Sequence, residues 1–336
     1  GALALLDAAI EQEPDNALAR RTRGGVHFEA LAFEKAGLDY DHAVDLDPAD
    51  VPATVGQGRV AMATGRYADA IISFSVALRL EPGDGEALSA RGASYYQLGR
   101  WDRSLADYRA LKISLPSSDV GLFGELRALT RLERTDEART IIKAKLETAP
   151  GNGVALQSLA MIARGDGQFD EVLQALDAAI AASPDDFYLL SQRGEARARA
   201  GDPEGARADF TVLRQIANGD PVLMNSVCWN QAITGLDLEQ ALADCDVAVA
   251  SGESGIIDSR AMVLLQMERY AEAKADYELA LAAAPSQSTS IYGRGMARLA
   301  LGDAGGHEDL ARARLLNSDV AEDYAVFEAR HPELVR

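Results

Sequence analysis

Six prolines stand 34 residues apart, at Pro14, Pro48, Pro82, Pro116, Pro150 and Pro184. Only 11 of the 336 residues are proline, so this register is a property of the chain and not of its composition. A fixed period of this length marks units that each bury a face against the next, rather than one globular core. The next steps carry Asn218 and Glu253, and proline returns at Pro285.

Two residues after each proline stand Asn16, Asp50, Asp84, Ser118, Asn152 and Asp186, with Asp220 in the same place after Asn218. These side chains accept hydrogen bonds from the free N–H groups of a first helical turn. Proline lacks the donor that would continue a helix. Each period therefore reads as one helix stopping and the next starting. A second break falls mid-period, where Gly65, Gly99, Gly167 and Gly201 lie seventeen residues after a proline and Gly302 lies seventeen after Pro285. Glycine permits the left-handed conformation that ends helices. The unit is two helices of about twelve to fourteen residues joined by a short turn.

Small residues recur where the two helices must touch: Gly24, Gly58, Gly92, Gly194 and Gly295 on the first, Ala36, Ala70, Ala138 and Ala206 opening the second. Tyr40, Phe74, Tyr108, Phe210 and Tyr277 supply the bulk between them. This 34-residue pattern of small, aromatic, small and proline landmarks resembles the tetratricopeptide repeat (TPR). The resemblance implies an all-α fold, a right-handed α-solenoid. About nine repeats fit, preceded by a half repeat and closed by a C-terminal capping helix. The boundaries expected are 1–16 for the lone second helix, 17–220 for six regular repeats, 221–318 for three divergent ones and 319–336 for the capping helix and tail. The chain opens inside a repeat, which implies native sequence upstream of Gly1.

Comparing repeats exposes a pairing. Arg23, Arg91, Arg193, Arg260 and Arg294 precede the small residue of the first helix, and Asp39, Asp107, Asp209, Asp276 and Asp309 follow at sixteen residues, once at fifteen. Each pair straddles the turn, so an antiparallel hairpin sets both at one height, as an ion pair that fixes the hairpin or as a row of arginines facing a ligand. Asp244 keeps its place without an arginine. Cys228 and Cys245 straddle the turn of the seventh repeat in the same way. Two readings stand: a disulfide, which implies an oxidising compartment, or two buried free thiols filling the seam. A metal site is not expected, because two thiols with no nearby histidine leave a four-ligand set incomplete.

Nothing points to catalysis or to a cofactor. The four histidines are scattered, and no HExxH, GxSxG or Walker loop occurs. The net charge of −19 opposes nucleic-acid binding, which needs a basic surface. No apolar stretch approaches eighteen residues, so no membrane span is expected. Arginine outnumbers lysine 28 to 5 in an alanine-rich chain, which suits a GC-rich bacterial genome.

In tetratricopeptide arrays the first helices line a concave face, and by that resemblance Arg59, Tyr96, Phe123, Arg127, Arg131, Arg164, Tyr188 and Arg199 line a groove here. Asn230, Met262, Tyr292 and Met296 fall at groove positions of the later repeats. Arginines interleaved with aromatics in so acidic a chain suggest a carboxylate-bearing protein or peptide as partner, unless neighbouring acids pair with them. The lysine, asparagine and arginine set that clamps chaperone tails in some family members is missing.

The run Asn225-Ser226-Val227-Cys228-Trp229, then Ala241-Leu242-Ala243-Asp244-Cys245, Asp258-Ser259-Arg260 and Tyr292-Gly293-Arg294-Gly295 is similar to C-terminal arrays of large proteobacterial envelope proteins with an upstream transglutaminase-like domain. That similarity implies a further domain upstream and export to the periplasm or envelope, with the cytoplasm as alternative, and it favours the disulfide. The reading of function is a non-catalytic interaction scaffold that holds a peptide or partner domain in its groove. The alternative is the substrate-docking or regulatory segment of a larger bacterial enzyme, transglutaminase-like or peptidase-like. Self-association through the unpartnered helix Ala2 to Glu13 is a further expectation.

Overall fold

The structure is a computed structural model that describes residues 1–252, 256–317 and 320–335. The step at Glu253 and the expected boundary at 318/319 lie outside the described residues. Among those residues the fold is an all-α solenoid with no strand. It divides into two compact units, Gly1–Glu147 with Asn152–Ser158 and Thr148–Gly151 with Leu159–Arg336.

In unit 1 the helices are α1 (Ala2–Gln12), α2 (Ala17–Glu29), α3 (Phe33–Leu46), α4 (Val51–Ala63), α5 (Tyr67–Leu80), α6 (Gly85–Gln97), α7 (Trp101–Ser114), α8 (Asp119–Arg131) and α9 (Thr135–Thr148). Helix α10 (Gly153–Asp166) begins in unit 1 and ends in unit 2. Unit 2 continues with α11 (Asp170–Ala182), α12 (Phe187–Arg199), α13 (Pro203–Ala217), α14 (Pro221–Thr234), α15 (Leu238–Val249) and α16 (Ile257–Gln266). It then runs through α17 (Tyr270–Ala283), α18 (Ser288–Ala300) and α19 (Gly306–Leu316). A 3₁₀ turn at Val320–Tyr324 leads into α20 (Ala325–Arg330).

The punctuation works as its chemistry dictates. Asn16, Asp50 and Asp84 accept from the backbone N–H three residues on, at 2.9, 2.9 and 2.6 Å. Gly65 takes φ 74° between α4 and α5, a conformation that costs an L-residue strain. Within the hairpin, a Cβ on Gly58 would lie 2.5 Å from the Phe74 ring, so only glycine lets that fully buried ring lie against α4.

All five Arg–Asp pairs form, each as a two-bond fork. Arg91 Nε and Nη2 donate to Asp107 at 2.8 and 2.6 Å, and Arg23, Arg193, Arg260 and Arg294 bond Asp39, Asp209, Asp276 and Asp309 likewise. Four of these arginines also reach back to the preceding second helix: Arg23 to Asp7, Arg91 to Ser75, Arg193 to Asp177 and Arg260 to Asp246. The fork thus closes its own hairpin and ties it to the one before. Two repeats solve the problem differently. Glu125 stands where the arginine would be and takes Arg109 and Lys112 from α7 at 2.8 and 2.6 Å. Asp244 takes Arg214 from α13, again through a fork.

The C-terminal segment does more than close the stack. Val320, Tyr324 and Phe327 are fully buried in one apolar cluster with Met262, Tyr292 and Met296 of the first helices α16 and α18. Tyr324 Oη donates to the Thr289 carbonyl at 2.7 Å, and its ring lies 5.0 Å from that of Tyr292. Tyr292 and Glu328 are hydrogen-bonded, and Arg330 bonds the Gln266 carbonyl at 3.1 Å. Met262, Tyr292 and Met296, expected as open groove residues, are therefore covered by the chain itself. Each buried ring is worth about 2 kcal/mol of apolar transfer.

Candidate functional site

In unit 1 the expected residues fall into two groups. Arg59 lies over the Phe28 ring at 4.3 Å and makes loose ion pairs of 3.6 Å with Glu29 and Glu86. Beside it is an open pocket of about 330 Å³, lined by Arg21, Tyr40, Arg59, Asp84 and Glu86 among others. Arg21 there is held by Asp50 at 2.9 Å.

The second group is denser. Phe123, Arg127 and Arg131 recur every four residues along one side of α8, the spacing that stacks side chains on a helix face. The Arg127 guanidinium sits 4.4 Å above the Tyr96 ring of α6 and 5.3 Å from the Phe123 ring. Arg131 Nε donates to Tyr96 Oη at 2.9 Å. Phe123 is 39% exposed. Arg127 has no carboxylate partner among the described residues; ring faces alone hold it, an interaction worth about 0.5–1 kcal/mol each at exposed sites.

In unit 2 the arginines are already matched. Arg164 Nη1 and Arg199 Nε both reach Glu195 Oε1, at 3.3 and 2.9 Å. The half-buried Asp323 carboxyl nearby is pushed up to about 6 by desolvation against the pull of Arg164 and Arg199. Tyr188 is half exposed on α12. The expectation of an uncompensated basic stripe thus narrows: the carboxylates of Glu29, Glu86 and Glu195 answer Arg59, Arg164 and Arg199.

Cys228 and Cys245 face each other across the α14–α15 seam, fully buried, with Cα atoms 5.3 Å apart, within the span that a disulfide bridges. Among the described residues no group of three or more His, Cys, Asp or Glu is placed to hold a metal ion. No helix there is long and apolar enough to cross a membrane.

Sequence reasoning missed a second pocket. It holds about 400 Å³, and its walls include Ser191 of α12, Asn225, Trp229 and Asn230 of α14, Asp258 of α16, and Gln287. Asn230 Nδ2 donates to Ser191 Oγ at 2.6 Å, and Gln287 Nε2 donates to Asp258 Oδ2 at 2.6 Å. The signal was within the runs at 225–230 and 258–260, where Asp258 is an acid beyond the one that Arg260 already holds.

Helix pairs in phase, with caps and seams repeating at 34 residues and ring-and-arginine patches on the first helices, define a helical-repeat scaffold. The tetratricopeptide repeat profile matches residues 1–51, 55–119 and 158–221, and a second profile of that repeat matches 258–287. This chain belongs to the tetratricopeptide repeat family. A tetratricopeptide repeat protein from Parabacteroides merdae is similar in structure, with TM-score 0.54 and 16% identity over 85% of this chain and 98% of that one, which shows the fold. YrrB, described as a TPR protein with an unusual peptide-binding site, aligns with TM-score 0.45 and 23% identity over 55% of this chain and 95% of its own. No curated protein matches the chain.

Proposed function

We propose that this chain is a protein-interaction scaffold and that Tyr96, Phe123, Arg127 and Arg131 hold an acidic segment of a partner. One observation carries the reading. The Arg127 guanidinium lies between two ring faces with no carboxylate of its own, whereas Arg59, Arg164 and Arg199 have theirs. A guanidinium so held offers paired donors to a partner carboxylate, and the exposed Phe123 ring offers an anchor beside it. Arg164, Tyr188 and Arg199 contribute less, because Glu195 must first release its arginines.

The test uses a fluorescein-labelled library of acidic octapeptides, each with one aromatic residue, and reads retention on the immobilised protein. Arg127→Glu is expected to abolish retention with the melting temperature unchanged, since Arg127 closes no ion pair. Arg59→Glu, whose cation is already answered, should cost less than threefold. Equal retention by Arg127→Glu and the native chain would remove the reading.

A further inference from the structure

Eight acids are buried among the described residues: Asp39, Asp107, Glu125, Asp209, Asp244, Asp258, Asp276 and Asp309. Seven have an arginine or lysine within ion-pair distance. Asp258, 7% exposed, has only neutral donors: Gln287 Nε2 at 2.6 Å, the Thr289 side chain and backbone N–H groups. A buried carboxylate without a counter-ion is costly to keep, and a cleft is where such a cost is turned to use.

The surroundings say what is missing. Asp258 lies in the pocket between α12, α14 and α16, and the lining of that pocket includes no lysine or arginine. The Asn225 side-chain oxygen, also in its wall, is buried with no hydrogen-bond partner. It is an acceptor awaiting a donor. Trp229 lines the same wall, and an indole is the strongest ring partner for a cation. A carboxylate, an orphaned acceptor and an indole, in a chain of net charge −19, ask for a cation that donates several hydrogen bonds in a plane. Guanidinium meets all three demands and an ammonium meets them less well, because it is a compact, strongly hydrated point charge.

We infer that the Asp258 pocket is a binding site for an arginine side chain of a partner peptide, with Asp258 as counter-ion, Asn225 as second acceptor and Trp229 as ring partner. The site is separate in residues and opposite in charge preference from the Arg127 patch, so one scaffold takes an acidic segment at one place and a basic one at another.

The titration of the site follows. Burial pushes the Asp258 carboxyl up to about 6. The titratable groups facing it are Tyr277 of α17 and Tyr324 of the 3₁₀ turn. Burial raises both phenols, which stay neutral below pH 9. The residues contributed by α12 and α14 and the α18 side (Ser191, Asn225, Trp229, Asn230, Gln287 and Thr289) do not titrate. An arginine ligand does not titrate either, so its binding tracks ionised Asp258 alone.

The experiment is calorimetric titration of the full chain with a blocked peptide, acetyl-Gly-Gly-Arg-Gly-Gly-amide, and with its citrulline analogue, which keeps the shape and loses the charge. The arginine peptide is expected to bind at least tenfold more tightly than the citrulline peptide. Its affinity should fall about tenfold from pH 7.5 to pH 5, as Asp258 takes up its proton. Asp258→Asn should abolish the difference between the two peptides, and the pH series on the native chain gives the same information should that variant misfold. Equal binding of both peptides, or no change with pH, overturns the inference. Agmatine binding more tightly than the peptide overturns the peptide source. Loss of this binding with acidic-library retention intact would sink this site and leave the proposal for Arg127 standing.

Discussion

The third and seventh repeats settle the same buried charge in different ways. In the third, Arg91 of α6 forks onto Asp107 of α7, and both ends of the bond belong to one hairpin. In the seventh, Asp244 of α15 has no arginine on α14 and takes Arg214 from α13, the second helix of the repeat before. Burial fixes the need for a counter-ion but not its supplier. A home-grown arginine locks the hairpin first and the stack second, whereas a borrowed one is a bond between repeats. At the seam of the seventh hairpin Cys228 and Cys245 face each other, with Cα atoms 5.3 Å apart.

The largest way to break this comparison is to remove an arginine. Arg91→Leu strands a buried carboxylate and should cost about 3 kcal/mol. Urea unfolding measures the loss, and Asp107→Leu added to it should recover most of that cost. Hydrogen exchange then separates the two designs. Arg91→Leu should speed exchange first within α6 and α7, and Arg214→Leu across α13 to α15. Identical exchange patterns would mean that the origin of the arginine is irrelevant.

The next effect concerns the seam. We propose from the 5.3 Å Cα separation that Cys228 and Cys245 form a disulfide. Intact mass without reductant should be 2 Da (about two hydrogen masses) below the reduced value. Closing so short a loop stabilises by about 3 kcal/mol in the chain-entropy account, so reductant should lower the unfolding free energy of unit 2 by about that amount. Two free thiols by mass would leave the seventh hairpin held by packing and Arg214 alone.

The smallest effect has the opposite sign. Asp258 is the buried acid that neither device serves, and its folded-state pKa of about 6 lies above the ordinary carboxylate value. The folded state therefore binds the extra proton between about pH 4 and 6, and this group's contribution to stability falls as pH rises through that window. Asp258→Asn should stabilise the chain at pH 7.5 by at most about 3 kcal/mol, less what burying the amide costs, and flatten the slope between pH 4 and 6. A destabilised variant would show that its neutral donors already compensate the charge.

Much of this was legible in the sequence, because a repeat turns spacing into geometry. Arg91 and Asp107 could be paired by comparing five copies of the motif, four at sixteen residues and one at fifteen, and the helix caps followed from their offset to proline. Glu125 with Arg109 and Lys112, and Asp244 with Arg214, were not legible. Each joins neighbouring repeats and puts its cation on the second helix of the repeat before, so matching the first helix of a repeat to its own second helix does not reveal it. Tyr96, Phe123 and Arg127 are each legible as groove positions, but their contacts depend on how α6 lies against α8. The Asp258 pocket draws walls from four successive repeats, and only packing brings Asn225, Asp258 and Gln287 to one place.

The segment from Val320 to Arg330 carries a consequence for anyone counting repeats as room for guests. Tyr324 and Phe327 already occupy the ground over Met262, Tyr292 and Met296. Over Met262, Tyr292 and Met296 the last repeats are tenanted from within, and that stretch of their first helices is not vacant docking length. Trimming the chain at Asn317 would bare an oily floor rather than tidy an end, and the shortened protein would be expected to stick to itself before it caught anything new.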